Sequence, residues 1–241
     1  MAHSAVSGWG FIVLPMDQHT ETTLWLVRHG ESTANARGIV LGHDDPPDLT
    51  LRGRLQAQRL VGILRHRSVD ALYSSDLRRA LRTANVLSNA LGLPVQADRT
   101  LRERGFGVLE GGPLSGLRPE FTGIRHGRVE DVHARPLGGE SLDDLYRRAR
   151  EFVGWLLRHE VGRNVVLVTH GGTVRAIRAY CAGRTVDGLA WDRVPNGGVW
   201  RIRIQPARTD EFQKNQPTCD YSNGRSGLAV FDDSRLSAGD H

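Results

Sequence analysis

The sequence predicts an α/β fold, a three-layer sandwich with a mostly parallel central sheet flanked by helices. Two observations predict it. Short apolar runs rich in β-formers alternate with longer stretches of helical periodicity, the pattern of βαβ units whose parallel sheet is covered on both faces. Two of those runs, "LWLVRHG" and "VVLVTHG", also share one grammar: a buried strand, one polar residue, then His-Gly.

Taken in order, "TTLWLVRH" reads as a buried strand ending at Gly30. "LTLRGRLQAQRLVGILRHR" reads as a helix, with Leu55, Leu60, Val61 and Leu64 near helical spacing. "VDALYSSD" is a second short strand, and "LRRALRTANVLSNALGL" a helix closed by Gly92 and followed by Pro94. The stretch from Arg102 to Ser141 is rich in Gly and Pro with little periodicity, so it reads as loop. Ser141 then opens a long amphipathic helix, "SLDDLYRRAREFVGWLLRHE", and with Asp144 three residues on offers an N-cap and an acidic first turn. "NVVLVTHGGTVRAIRAYCAG" follows as strand, corner and helix, and "GVWRIRIQ" alternates as a last strand. The expected organisation is an N-terminal tail over 1–21, one domain over 22–208 with an insertion over 108–139, and a polar C-terminal extension over 209–241. In that extension six Asp/Glu stand against three Lys/Arg.

The formal net charge is +5, and Lys214 is the single lysine, so the basicity is almost all arginine. The guanidinium fork suits phosphate and carboxylate, which points to an anionic partner. A genome that writes Arg in place of Lys gives the same excess, so charge alone leaves both readings open. No polybasic run suggests a nucleic-acid tail. Cys181 and Cys219 have neither metal-ligand spacing nor a disulfide pattern, which suggests a reducing compartment and a cytoplasmic location. The first residues hold a short apolar run, "GWGFIVLP", without a preceding basic residue or a cleavage-site pattern, so neither a signal peptide nor a membrane span is expected.

If the two strand-His-Gly segments lie in one parallel sheet, His29 and His170 emerge at the same edge. In α/β sheets that edge, beyond the carboxyl ends of the strands, is where ligands gather. The glycine after each histidine is expected to allow a sharp turn and to leave amides accessible at the following helix start, which favours an anion. A single histidine at a strand end is more often a hydrogen-bonded structural one. Two in the same context, one preceded by Arg28, point to a shared ligand.

The segments "LVRHGES" with "TAN", "LTLRGRLQA", "YSSDLRRALRTA", "LRERGFGVLEG", "GGES", "VTHGGTVR" and "VPNGGVWRI" occur in this order. Together they resemble the histidine phosphatase superfamily, the phosphoglycerate mutase-like family, over roughly three quarters of the chain. The resemblance implies a phosphoglycerate mutase-like fold and a set of roles. His29 would attack phosphorus and form a phosphohistidine, splitting one displacement into two. Arg28, Arg79 and His170 would surround the transferring phosphoryl group, whose charge fixed cationic donors stabilise. Arg79 is preferred over its neighbour Arg78, which suits a solvated helix face. Glu103 would protonate the leaving oxygen and then activate water, against the alternative of a surface carboxylate paired with Arg102 or Arg104. Asn35, Thr33 and Gly171 would bind the substrate, Asn35 through a neutral hydrogen bond to the phosphoryl oxygens.

The resemblance implies no metal and no cofactor, with arginine meeting the phosphate charge. It implies a small phosphorylated substrate and inorganic phosphate as product, no nucleic acid and no membrane, and leaves a homodimer open. The insertion is shorter than the lid-like one of the phosphoglycerate mutases, which favours hydrolysis over mutase transfer. A protein phosphatase and a noncatalytic phosphate-binding protein are the other readings. Arg118, Arg125, His126, Arg128, His133 and Arg135 of the insertion are either contacts for a second anionic group or solvated surface.

Overall fold

The computed structural model describes residues 21–45, 48–188 and 192–205. The N-terminal tail through residue 20, the last three residues of the expected domain, and the C-terminal extension with Lys214 and Cys219 lie outside the described residues.

The elements run β1 (Thr22–Arg28), α1 (Thr33–Arg37), α2 (Leu51–Leu64), β2 (Ala71–Ser74), α3 (Arg78–Leu91), β3 (Val95–Ala97), α4 (Pro119–Thr122), β4 (Ile124–Arg125), β5 (Arg128–Val129), α5 (Leu142–His159), β6 (Asn164–Thr169), α6 (Gly171–Cys181) and β7 (Val199–Ile204). The central sheet has the order β3-β2-β6-β1-β7. β1, β2, β3 and β6 pair in parallel, and β7 adds antiparallel to β1.

Alternation along the strands divides the core in two. Leu24 and Leu26 of β1 with Val165 and Leu167 of β6 pack with Leu145, Phe152 and Val153 of α5 and with Val174 and Ile177 of α6. The intervening Trp25, Val27, Val166 and Val168 pack with Leu60 and Leu64 of α2 and with Ala80, Ala84 and Leu87 of α3. Successive side chains on a strand point to opposite faces, so apolar runs such as "LWLV" and "VVLV" demand a helical layer on each side. The sandwich is therefore three-layered, as the sequence predicts.

The buried stripe of α2 is Gly53, Ala57, Leu60 and Leu64, at offsets of four, three and four. Leu55 lies off that stripe and is exposed, and Val61 is only partly buried, which corrects the face expected from the leucines. β3, α1 and the short elements α4, β4 and β5 of the insertion were not expected. Each is five residues or fewer, too short for periodicity to register. α3 is closed by Gly92 with φ of 69° and α5 is capped by Ser141, both as expected; the structure adds that Asp144 returns the bond and completes a capping box.

Candidate active site

β1 and β6 pair in parallel with Arg28 opposite Thr169, and the His29 amide donates to the Thr169 carbonyl at 3.0 Å. The next residue on each strand is a histidine, so His29 and His170 leave the sheet side by side. Their rings stand 5.0 Å apart edge to face, and they are 2% and 1% exposed.

His29 Nδ1 lies 2.7 Å from the Gly30 carbonyl oxygen. A carbonyl only accepts, so Nδ1 carries the proton and Nε2 the lone pair. Burial first, then the charges of Arg79 and Arg28, hold the His29 imidazole well below the ordinary histidine range, against a smaller opposing effect of the Gly30 hydrogen bond. His29 is thus neutral at neutral pH with Nε2 nucleophilic. His170 Nε2 meets Ser75 Oγ at 2.8 Å, and its buried Nδ1 has no hydrogen-bond partner among the described residues. Burial, Arg79, His29, Arg28 and Arg148 in turn keep His170 well below the ordinary range as well.

Arg79 is 1% exposed. Its guanidinium donates to Gly42 O at 2.7 Å and Asp44 O at 3.0 Å, and stands 3.8 Å from the Asp45 carboxylate. The adjacent Arg78 is exposed, with its backbone N–H on the same carboxylate. Arg28 Nη1 donates to the Val194 carbonyl, while its buried Nε has no partner among the described residues. Burial, tempered by Glu103, lowers Arg28 to about 10, and Arg175, Arg79 and Arg193 add to the lowering. Arg28 remains charged at neutral pH. Two guanidiniums and two neutral imidazoles converging in a buried corner call for an anion.

A family model described as the histidine phosphatase superfamily, branch 1, matches residues 24–216. The chain belongs to the histidine phosphatase superfamily. A curated relative, phosphoglycerate mutase-like protein 4 of Arabidopsis thaliana, is 37% identical over 191 residues, covering 74% of this chain and 82% of the relative. Among solved structures, the mycobacterial glucosyl-3-phosphoglycerate phosphatase in complex with inorganic phosphate is 31% identical with a TM-score of 0.63, over 75% of this chain and 88% of that one. The α-ribazole phosphatase of Shigella flexneri is 31% identical with a TM-score of 0.65, over 76% of this chain and 90% of that one.

In this member of the superfamily, the Glu103 carboxylate accepts from the Gly172 amide at 3.0 and 3.1 Å and from the Arg104 amide at 2.8 Å. Its neighbours' side chains are occupied elsewhere. Arg102 makes a bidentate pair with Asp76 at 2.6 Å, and Arg104 donates to the carbonyls of Glu140, Thr122, Phe121 and Ala134. Glu103 is therefore not a surface carboxylate paired with either arginine. It sits at the N-terminus of α6, two residues past His170, among the groups that act electrostatically on Arg28 and Arg79.

The glycines act differently from the sequence expectation. Neither Gly30 nor Gly171 has a positive φ. Gly30 is needed because a Cβ there would lie 2.3 Å from the Gly53 carbonyl oxygen. At Gly171 a Cβ would make only ordinary contacts, whereas at Gly172 it would lie 2.3 Å from Glu103 Oε1.

Asn35 Oδ1 accepts from Ser32 N in the cap of α1 and from Asn196 Nδ2, both at 3.1 Å, which leaves its Nδ2 as the donor end. Asn196 also donates to the His29 carbonyl at 3.2 Å, linking the two. Thr33 is exposed, with its amide on Asp48 O, and is not among the groups gathered at the two histidines. Arg118, Arg125, His126, Arg128, His133 and Arg135 are all exposed; Arg125 pairs with Glu130 and Arg135 with Asp144.

Four residues of the site escaped the sequence reading: Ser75, Thr83, Asn196 and Gly172. Thr83 Oγ1 accepts from Gly30 N and donates to Arg79 O, both at 3.0 Å, tying the His29 corner to the Arg79 helix. "PNGG" ahead of the last strand was a turn signal that could have flagged Asn196. Among the described residues no helix is long and apolar enough to cross a membrane. Nor, among them, do three or more His, Cys, Asp and Glu cluster as metal ligands.

Proposed function

We propose that the chain is a phosphomonoesterase that hydrolyses a small phosphorylated metabolite or sugar in two steps through a phosphohistidine on His29, without a metal. The observation that carries this reading is the Nδ1–H to Gly30 hydrogen bond. It leaves the lone pair of a neutral, buried His29 on Nε2, beside Arg28, Arg79 and His170.

In the first step the Nε2 lone pair forms the N–P bond as the P–O bond to the leaving group breaks, and Glu103 gives its proton to the departing oxygen. In the second, Glu103 takes a proton from water, the water oxygen forms a P–O bond, and the N–P bond breaks to return neutral His29. Arg28 and Arg79 hold the equatorial oxygens, whose charge is spread in the transition state. Ser75 Oγ accepts from Leu77 N and pairs with His170 Nε2; with the Ser75 proton given to Nε2, His170 would carry its own proton on Nδ1, the nitrogen without a protein partner among the described residues. Asn35 offers its Nδ2 to the same oxygens.

The phosphatase relatives support hydrolysis, and the Arabidopsis relative's name supports a mutase as the second reading. A screen of phosphorylated metabolites, comparing kcat/KM with inorganic phosphate release, separates them. Release from a small monoester, undiminished by EDTA, is expected. Loss of activity in EDTA with recovery on adding a divalent ion contradicts the metal-free step. Movement of the phosphoryl group along a sugar acid without phosphate release contradicts hydrolysis.

A further inference from the structure

The loop carrying Glu103 is held by side chains that make no hydrogen bond to the two histidines. All five N–H groups of Arg148, on α5, are used: Nε and Nη2 hold the two oxygens of Glu140 at 2.9 Å, Nη1 holds the carbonyls of Thr100 and Arg102 at 2.8 and 2.7 Å, and Nη2 also holds the Glu103 carbonyl at 2.7 Å. A guanidinium with every donor spent on protein has none for substrate. From the other side, His43 Nε2 lies 2.8 Å from the same Glu103 carbonyl, so this nitrogen carries the imidazole proton. Glu140 closes the arrangement, with Oε2 accepting from Gly105 N at 2.8 Å and standing 3.7 Å from His43 Nε2. Burial raises the Glu140 carboxyl, and Arg148, the Gly105 amide and His43 outweigh it, so the group stays below its ordinary value and ionised.

We propose that Arg148, Glu140 and His43 form a clamp that positions Glu103 for proton transfer. The inference rests on the reading of Glu103 as the proton donor. The clamp grips the main chain of Glu103 from two directions, while the carboxylate itself is oriented by the Gly172 and Arg104 amides. Proton transfer needs the donor within hydrogen-bond reach of the leaving oxygen, and small displacements of a positioned group cost rate steeply. The same clamp touches the phosphoryl site, because the His43 loop supplies the Gly42 and Asp44 carbonyls that anchor Arg79. Charge-assisted, bidentate pairing makes the Arg148–Glu140 contact the stiff part of the device. A lysine at 148 keeps the charge but loses the fork.

A positioning role is separable from a merely structural one by leaving group. p-Nitrophenyl phosphate departs with little help from an acid, whereas phenyl phosphate, of nearly the same shape, depends on it. In His43→Ala, kcat/KM, which reports leaving-group departure and not the shared hydrolysis of the phosphoenzyme, is expected to fall at least tenfold more for phenyl phosphate than for p-nitrophenyl phosphate. His43→Gln, which restores an N–H donor, is expected to bring the ratio of the two back toward wild type. Arg148→Met is expected to show the same discrimination. Because it strands Glu140 and can fail to fold, the His43 pair carries the test independently. Glu103→Gln is the reference. If it discriminates between the substrates and the His43 variants slow both equally or not at all, the clamp is overturned while the Glu103 reading stands. If Glu103→Gln itself lowers kcat/KM for both equally, the reading of Glu103 as proton donor falls and the clamp with it.

Discussion

Arg28 of β1 stands opposite Thr169 of β6 in parallel register. That single pairing explains why the two strand-His-Gly segments form one site. A shift of one residue would turn one histidine to the other face of the sheet, since side chains alternate with a period of two. Instead both leave at the same level, with their rings 5.0 Å apart.

The two histidines make stability depend on pH. Both are held well below the ordinary histidine value of 6.5 in the folded state. In the unfolded chain they take up protons at that ordinary value, so below it the unfolded state binds more protons and is favoured. Their contribution is complete above about pH 6.5 and is lost progressively as the pH falls toward their folded values, at up to about 1.4 kcal/mol per pH unit for each. Chemical denaturation at a series of pH values should show this slope, and His170→Asn should reduce it. An unchanged slope in the variant would contradict the buried neutral state of His170.

Adjacent arginines on α3 should behave oppositely. Arg79 is buried on the Gly42 and Asp44 carbonyls, whereas Arg78 is exposed. Arg79→Met is expected to lower kcat/KM by about a hundredfold or more, in the range seen for lost transition-state donors. Arg78→Met should stay within about threefold of wild type. Steady-state kinetics on p-nitrophenyl phosphate decides it.

Gly172→Ala is expected to damage activity more than stability. The added methyl would lie 2.3 Å from Glu103 Oε1, and the carboxylate, being the end of a side chain, can swing away at modest cost. kcat should fall tenfold or more while Tm changes by only a few degrees. Gly30→Ala should damage both, because its clash is with the Gly53 carbonyl of the backbone and the displaced segment carries the carbonyl that holds His29 Nδ1. Overpacking of that kind costs about 1–3 kcal/mol or more. Paired thermal melts and kinetics on the two variants check both expectations.

The layers and the two histidines were legible because long apolar runs and repeated corners are local patterns. His29, His170, Arg28 and Arg79 sit where strand ends and a helix start bring them. What was not legible depends on contacts between distant segments. Asn196 reaches His29 across 167 residues, and Arg148 reaches Glu103 across 45. No periodicity reports such contacts. The glycine rule failed for the same reason: Gly30 and Gly172 are required by what packs against them, not by their own backbone angles. Leu55 is exposed despite its apolar character, because the face that α2 buries runs through Gly53 and Ala57 to Leu60 and Leu64.

The central claim is that His29 Nε2 carries the phosphoryl group between substrate and water. Rapid acid-free quenching of turnover with radiolabelled phosphomonoester, followed by fragmentation and mass analysis, measures this directly. The label should appear as an alkali-stable, acid-labile phosphohistidine on the peptide holding His29, attached at Nε2, and should vanish in a folded His29→Ala variant along with phosphate release. Steady turnover without any labelled enzyme, or a label of undiminished yield in His29→Ala, would contradict it.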